Sequence, residues 1–342
     1  MKSIKKFASM RKTQISLSAL RTYPELVKSN YGLHQQKSKE FLKKELPIRL
    51  ATMIDTIDHL PYGFVSLSNV HKIRDLYVQS FDEVLLDHDN QNNEDFNYQL
   101  EEIIKRHDGV VITMAQGIKK YKEDTHYTDT LDSLIQHFLN DFYKNKIGIR
   151  ILMRQHLKLF SDPDNCRGII QDNLSLQSIF SNVYDDAKQL CDRNYGVVPD
   201  YKFVSPDVNI SYIQLHLHFI LFEIIKNSMR ATVNKHGCHA EDEKLNIQVN
   251  MSESDKEVSI KISDYGGGMP QNEINNIFRY AYSTAECPVT SDYGHRTNVP
   301  PMQGFGYGLP MSLLYAKFFG GNLQIYSQDG YGTDAIIFLQ KN

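Results

Sequence analysis

The 342-residue sequence has no tryptophan, four cysteines and no surplus of either charge, with 38 basic against 41 acidic residues. A formal net charge of −3 leaves no chain-wide basic surface to neutralise phosphates, so nucleic acid is not an expected partner. Cys166, Cys191, Cys238 and Cys287 form no CxxC pair and have no histidine at zinc spacing, so neither a disulfide framework nor a structural metal is indicated and a reducing compartment fits best. No stretch approaches the roughly 20 apolar residues needed to cross a bilayer, so the chain is read as not transmembrane. The first 24 residues contain no acid and carry Lys2, Lys5, Lys6, Arg11, Lys12 and Arg21 among serines and threonines. That composition fits a mitochondrial transit segment and, equally, a basic, partly ordered arm.

The length suits two domains. Leu46, Leu50, Met53, Ile57 and Leu60 recur at steps of four and three, which makes one helix face. Val70, Ile73, Tyr77, Phe81 and Val84 make a second stripe; Phe96, Leu100, Ile103, His107, Val111, Met114 and Ile118 a third; Leu131, Ile135, Phe138, Phe142, Ile149 and Leu152 a fourth. Four amphipathic helices predict an antiparallel bundle over 1–162. Ser161 to Arg167 is polar and contains Pro163, and marks the boundary. Beyond it a helix through Ile179–Leu190 and alternating segments near Leu245–Val249, Val258–Ile262, Leu323–Ile325 and Ala335–Leu339 predict a mixed sheet covered on one face by helices over 163–342. The fold class expected is therefore α+β.

The segment His218 to Val233 is a strongly apolar helix that includes Glu223, Asn227 and Arg230 at steps of four and three, all on one face. Burying a carboxylate and an amide there is costly without partners, which favours a functional site over the plain alternative of a salt-bridged core helix. The segment SDYGGGMP ends an alternating strand with Asp264 and continues through Gly266, Gly267, Gly268 and Met269. In GFGYGLP, Gly304, Gly306 and Gly308 stand at every second position before a helical pattern, with Phe305, Tyr307 and Leu309 between and after them, so that backbone amides and a helix N-terminus can face phosphate oxygens. The last strand begins with Thr333.

A helix with Glu and Asn, a strand ending DxGxG, GxGxG before a helix and a final strand with Thr, in this order, resemble the GHKL ATPases: gyrases, Hsp90, MutL and histidine kinases. Within that group ELPIRLA at Glu45, LYVQSF at Leu76, TMAQG at Thr113, KNSMRATV at Lys226, YSTA at Tyr282 and GFGYGLP at Gly304 resemble the pyruvate dehydrogenase kinases, from about Phe7 to Leu339. The resemblance implies an ATP-dependent protein serine kinase of the mitochondrial matrix that phosphorylates and inactivates the E1 alpha subunit of the pyruvate dehydrogenase complex. It implies an N-terminal four-helix bundle that docks the lipoyl domain of the acetyltransferase core, a Bergerat-type ATP-binding domain and a homodimer. The sister kinase of the branched-chain 2-oxoacid dehydrogenase, a nucleotide-gated binding module and a histidine autokinase are the alternatives.

The same resemblance assigns roles. Glu223 is implied as the general base or orienting group for the serine hydroxyl, Asn227 as the protein ligand of Mg²⁺ on ATP, and Lys226 and Arg230 as neighbours of the phosphates, with an ion pair holding the helix as the equal alternative for Arg230. Asp264 is implied to read the adenine amino group while Gly266, Gly268 and Met269 border the nucleotide and Thr333 supports the base. Ser283 and Thr284 open a lid that runs to Gln303, and Gly304 to Leu309 enclose the phosphates. Tyr77, His107 and Arg150 match an allosteric pocket for pyruvate in the bundle, but Lys146 and Ile104 stand where the family usually has arginines, so weak pyruvate sensitivity is expected. Phe219 stands where the family usually has a histidine touching the base. The family also continues into a tail that crosses to the other subunit, whereas this sequence stops at Asn342, and weaker docking of the lipoyl domain is the expectation.

Overall fold

The computed structural model describes residues 2–25, 31–60, 63–86, 92–124, 128–161, 168–282 and 304–341. Ser283, Thr284 and the expected lid up to Gln303 lie outside the described residues. The chain divides into two units, Met1–Ile170 and Gln171–Asn342.

The first unit is helical: α1 (Lys2–Ala8), α2 (Leu17–Glu25), α3 (Tyr31–Asp58), α4 (Ser68–Leu85), α5 (Asn93–Arg106), α6 (Val110–Asp124) and α7 (Asp129–Ser161). The periodic apolar stripes become the core. In α4, Val70, Ile73, Tyr77, Phe81 and Val84 are all buried, and in α3 Leu46, Leu50, Met53 and Ile57 are no more than 1% exposed. The third stripe is not one helix, which corrects the sequence expectation. His107 ends α5 at φ −88 and ψ 0, and Asp108–Gly109 supplies turn chemistry that outcompetes helix continuation. The buried face resumes on Val110, one residue ahead of the expected Val111.

The basic N-terminal segment is ordered against the bundle. Phe7 packs edge-on against Phe81 with ring centroids 5.8 Å apart, and Leu17 is 2% exposed. Thr13 donates its backbone N–H and its hydroxyl to the Glu45 carboxylate at 2.9 and 2.8 Å. Arg49 pairs with Glu45 at 2.8 Å and donates to the Thr13 carbonyl. Glu45 and Arg49, the charged residues of ELPIRLA, are thus a clasp for the N-terminal segment, and both are buried.

The second unit contains β1 (Gln171–Ser175), α8 (Leu176–Tyr195), β2 (Tyr201–Phe203), β3 (Asn209–Tyr212), α9 (Gln214–His236), β4 (Ile247–Glu253), β5 (Glu257–Asp264), α10 (Gln271–Ile274), α11 (Gly308–Phe318), β6 (Asn322–Gln328) and β7 (Gly332–Gln340). Five strands form a sheet in the order β2-β4-β5-β7-β6. β2 and β4 are parallel and the other neighbours antiparallel, so the sheet is mixed as expected. β1 and β3 pair separately. Leu245 falls in a 3₁₀ turn before β4 rather than in the strand. α9 packs on β5 and α11 on β6. Alternation along β5 buries Val258, Ile260, Ile262 and Asp264. The stripe that faces the helices therefore ends in a carboxylate.

Candidate functional site

Helical spacing on α9 and the period of two on β5 bring the candidate residues into one cleft. Glu223, Lys226, Asn227, Arg230, Asp264, Gly266, Gly268, Met269, Gly304, Gly306, Gly308, Leu309 and Thr333 all line it. Its volume of about 670 Å³ lies within the range of roughly 300–1,000 Å³ usual for small-molecule sites. Tyr307 turns elsewhere and packs on Tyr280 with ring centroids 5.4 Å apart; Phe305 is also not among the lining residues. Sequence reasoning missed Asn234, Lys235 and Ser228. Asn234 was accessible, since it continues the α9 face one turn beyond Arg230.

Asp264 sits 7% exposed at the end of β5. It accepts a hydrogen bond from the Gly266 N–H at 2.9 Å and further bonds from the Ser228 hydroxyl and the Thr333 backbone. Burial outweighs these bonds and pushes its carboxyl up to about 6. Across the ladder Asp264 is in register with Thr333. Ser327 ties the wall together, lying 2.9 Å from the Thr333 hydroxyl and accepting from the Met269 N–H at 2.8 Å.

Gly266, Gly268 and Gly306 are required by contacts with backbone atoms before any ligand arrives. A Cβ on Gly266 would lie 2.4 Å from Ala231 Cβ on α9. On Gly268, at φ +67, it would lie 2.0 Å from the Gln328 carbonyl, and on Gly306, at φ +77, 2.2 Å from the Tyr282 carbonyl. A Cβ on Gly308 would come within 2.1 Å of Glu223 Oε2. Gly308 is also the first residue of α11, so the free N–H groups of that helix open next to Glu223.

At the α9 end, Lys226 pairs with Glu223 at 2.8 Å. Arg230 has no carboxylate within ion-pair distance among the described residues, so the ion pair on this face of α9 is made by Lys226. Burial lowers the pKa of its guanidinium, a cost that a bound anion would offset. Among the described residues no three His, Cys, Asp or Glu side chains cluster as a metal site. A Mg²⁺ ion here would rely on Asn227 and on oxygens brought by a phosphate ligand, which suits an ion that keeps most of its own shell.

Within the first unit Tyr77, His107 and Arg150 do come together, with Ile104, Lys146, Ile149 and Met153, around a cavity of about 10 Å³. The Tyr77 and His107 ring centroids are 4.4 Å apart, and the buried Tyr77 hydroxyl makes no hydrogen bond. Arg150 pairs with Asp108 at 2.8 Å. Burial first, then the charge of Arg150, pushes Lys146 down to about 8. His107 is 3.0 Å from the Ser80 hydroxyl, and His156 lies 2.7 Å from the Ser38 hydroxyl and 3.1 Å from Asn97 Oδ1. Both histidines are buried and partnered, so neither offers an accessible nitrogen for autophosphorylation.

Comparison with known proteins agrees with this geometry. Residues 14–175 match the family model described as mitochondrial branched-chain alpha-ketoacid dehydrogenase kinase. Residues 212–342 match that of the histidine kinase-, DNA gyrase B- and HSP90-like ATPases. Pyruvate dehydrogenase (acetyl-transferring) kinase isozyme 4 of Homo sapiens is 39% identical over 324 residues, covering 90% of this chain and 77% of that protein. Isozyme 3 of Mus musculus is 38% identical with the same coverage, and the kinase of Ascaris suum is 39% identical over 88% of this chain. At that identity and coverage, the chain belongs to the mitochondrial pyruvate dehydrogenase (acetyl-transferring) kinase family.

Proposed function

We propose that the chain transfers the γ-phosphoryl group of ATP to a serine of the E1 alpha subunit of the pyruvate dehydrogenase complex and thereby inactivates it, acting as a homodimer in the mitochondrial matrix. The observation that carries this reading is the convergence of Asp264, the α9 carboxylate and amide, and the N-terminus of α11 on one cleft. ATP supplies the activated phosphoryl group. Asp264 holds the adenine amino group by accepting its hydrogen bond, and Thr333 supports the base from the adjoining strand. The N-terminus of α11 and the amides of Gly304 to Leu309 hold the phosphates, with Arg230 adding charge. Asn227 is the protein ligand for Mg²⁺. Glu223 takes the proton of the serine hydroxyl. Phosphoryl transfer rests mainly on such positioning and charge neutralisation. The bundle docks the lipoyl domain of the acetyltransferase core, and its small cationic cavity at Tyr77, His107, Lys146 and Arg150 takes a small carboxylate such as pyruvate.

A second reading, action on the branched-chain 2-oxoacid dehydrogenase, is favoured by the description of the family model that covers residues 14–175. Transfer of labelled phosphate to each purified dehydrogenase complex separates the two. Labelling of a pyruvate dehydrogenase serine with loss of its activity is the expected result; labelling of the branched-chain complex alone would replace it, and acid-labile label on the chain itself would refute both. Glu223→Gln is expected to retain ATP binding and lose a factor of about 10² to 10⁴ in transfer rate.

A further inference from the structure

Building on the kinase reading, we propose that Lys226 is the positioning residue for the base Glu223, holding its carboxylate in a chain whose residue one turn earlier is phenylalanine. The Lys226 ammonium lies 2.8 Å from Glu223 Oε1 and 2.8 Å from Oε2, so one donor group spans both oxygens. The two side chains are 5% and 12% exposed. A solvated pair at this spacing stabilises a helix only slightly. Here the pair is withdrawn from water inside the cleft, where its geometry rather than its stabilising energy is what matters.

The Lys226 ammonium also lies 5.5 Å from the centre of the Phe222 ring. The Glu223 carboxylate is bounded on its other side by Gly308, where even a methyl group would come within 2.1 Å of Oε2. The side chains one turn back do not share the task. Phe219 packs on Tyr315 with ring centroids 4.9 Å apart, and His218 lies 2.9 Å from Asp186. The carboxylate is therefore set between an ammonium and a glycine. In the transfer step the serine O–H bond breaks, its proton passes to Glu223, and its oxygen bonds to phosphorus as the bond from phosphorus to the ADP oxygen breaks. Lys226 takes no part in the proton transfer and acts only through the orientation of Glu223.

The test is a double-mutant cycle with Lys226→Met and Glu223→Gln, measuring labelled transfer to the pyruvate dehydrogenase complex at saturating ATP, and ADP affinity by calorimetry. Lys226→Met alone is expected to lower kcat about 10- to 100-fold, the cost of a misplaced catalytic group. It should leave ADP affinity within about 3-fold and, added to Glu223→Gln, should change the residual rate by less than about 3-fold, because two residues acting as one unit are not additive. Lys226→Arg should restore most of the rate. A fall in ADP affinity in step with the rate would overturn the proposal in favour of direct phosphate binding, and so would an equal slowing of the Glu223→Gln enzyme. Should Lys226→Met fail to fold, the double variant, which buries no unpaired carboxylate, decides by its ADP affinity: native affinity supports the proposal and weakened affinity overturns it. A wild-type chain that binds ADP but labels no complex would remove the kinase reading itself, and the proposal with it.

Discussion

Burial pushes the Asp264 carboxyl up to about 6, against an ordinary aspartate value of about 3.9. Between about pH 4 and 6 the folded chain therefore binds this proton more readily than the unfolded chain does. The stability contributed by protonation is fully present below about pH 4 and is lost as pH rises through about 6. Holding the ionised form at neutral pH costs about 3 kcal/mol; in the proposed site that cost secures a buried, charged acceptor for the adenine amino group. Urea unfolding should show stability falling between pH 4 and 6, and Asp264→Asn should remove that slope. Asp264→Ala should abolish ATP binding in calorimetry; a folded variant with native affinity would rule out the adenine role. Individual residues were legible where chemistry and period coincide. Glu223, Asn227 and Asp264 announce themselves as polar groups on apolar faces. The full reason for the glycines was not legible, because Gly268 meets Gln328, a partner 60 positions away in the chain.

Among the elements, long periodic helices were readable and short strands were not. β2 and β3 span three and four residues, too few for alternation to stand out from a loop, and β1 is largely exposed. The α5–α6 break was hidden because its apolar spacing carries on through a turn. ELPIRLA was visible only as a mark of family, whereas α3 uses its Glu45 and Arg49 to clasp Thr13. Removing one partner of a buried pair costs about 3–5 kcal/mol. Glu45→Ala should therefore lower the unfolding midpoint markedly, and Glu45→Ala with Arg49→Met should recover part of the loss in the same urea titration. The cavity between α4, α5 and α7 yields another expectation. Its volume of about 10 Å³ is about that of one water probe, so a three-carbon acid must displace side chains, with one lysine and one arginine to reward it. Inhibition by pyruvate should need concentrations well above those effective on relatives with more arginines. Lys146 loses its charge through about pH 8, so potency should weaken between pH 7 and 9. Inhibition curves that do not move with pH would exclude Lys146 from the anion site.

For the whole molecule, the sequence carried the order of a helical half followed by a mixed-sheet half, because the hydrophobic period changes from helical to alternating along the chain. The structure divides between Ile170 and Gln171, after the polar stretch that marks the change. Gly308 has a consequence for the chain as a whole. It is at once the first residue of α11 and the wall against Glu223 Oε2, and it has no positive φ that would forbid a side chain. Gly308→Ala should fold and bind ATP within a few-fold of the parent, yet lose about 10² in transfer as the carboxylate is displaced; parallel calorimetry and labelled-phosphate rates would check it, and an unaltered rate would refute it. Glycine and alanine codons differ by a single base. Were the Gly308→Ala outcome met, a silent ATP-binding scaffold would lie one point mutation from the active kinase, a loss that neither stability nor nucleotide affinity would expose.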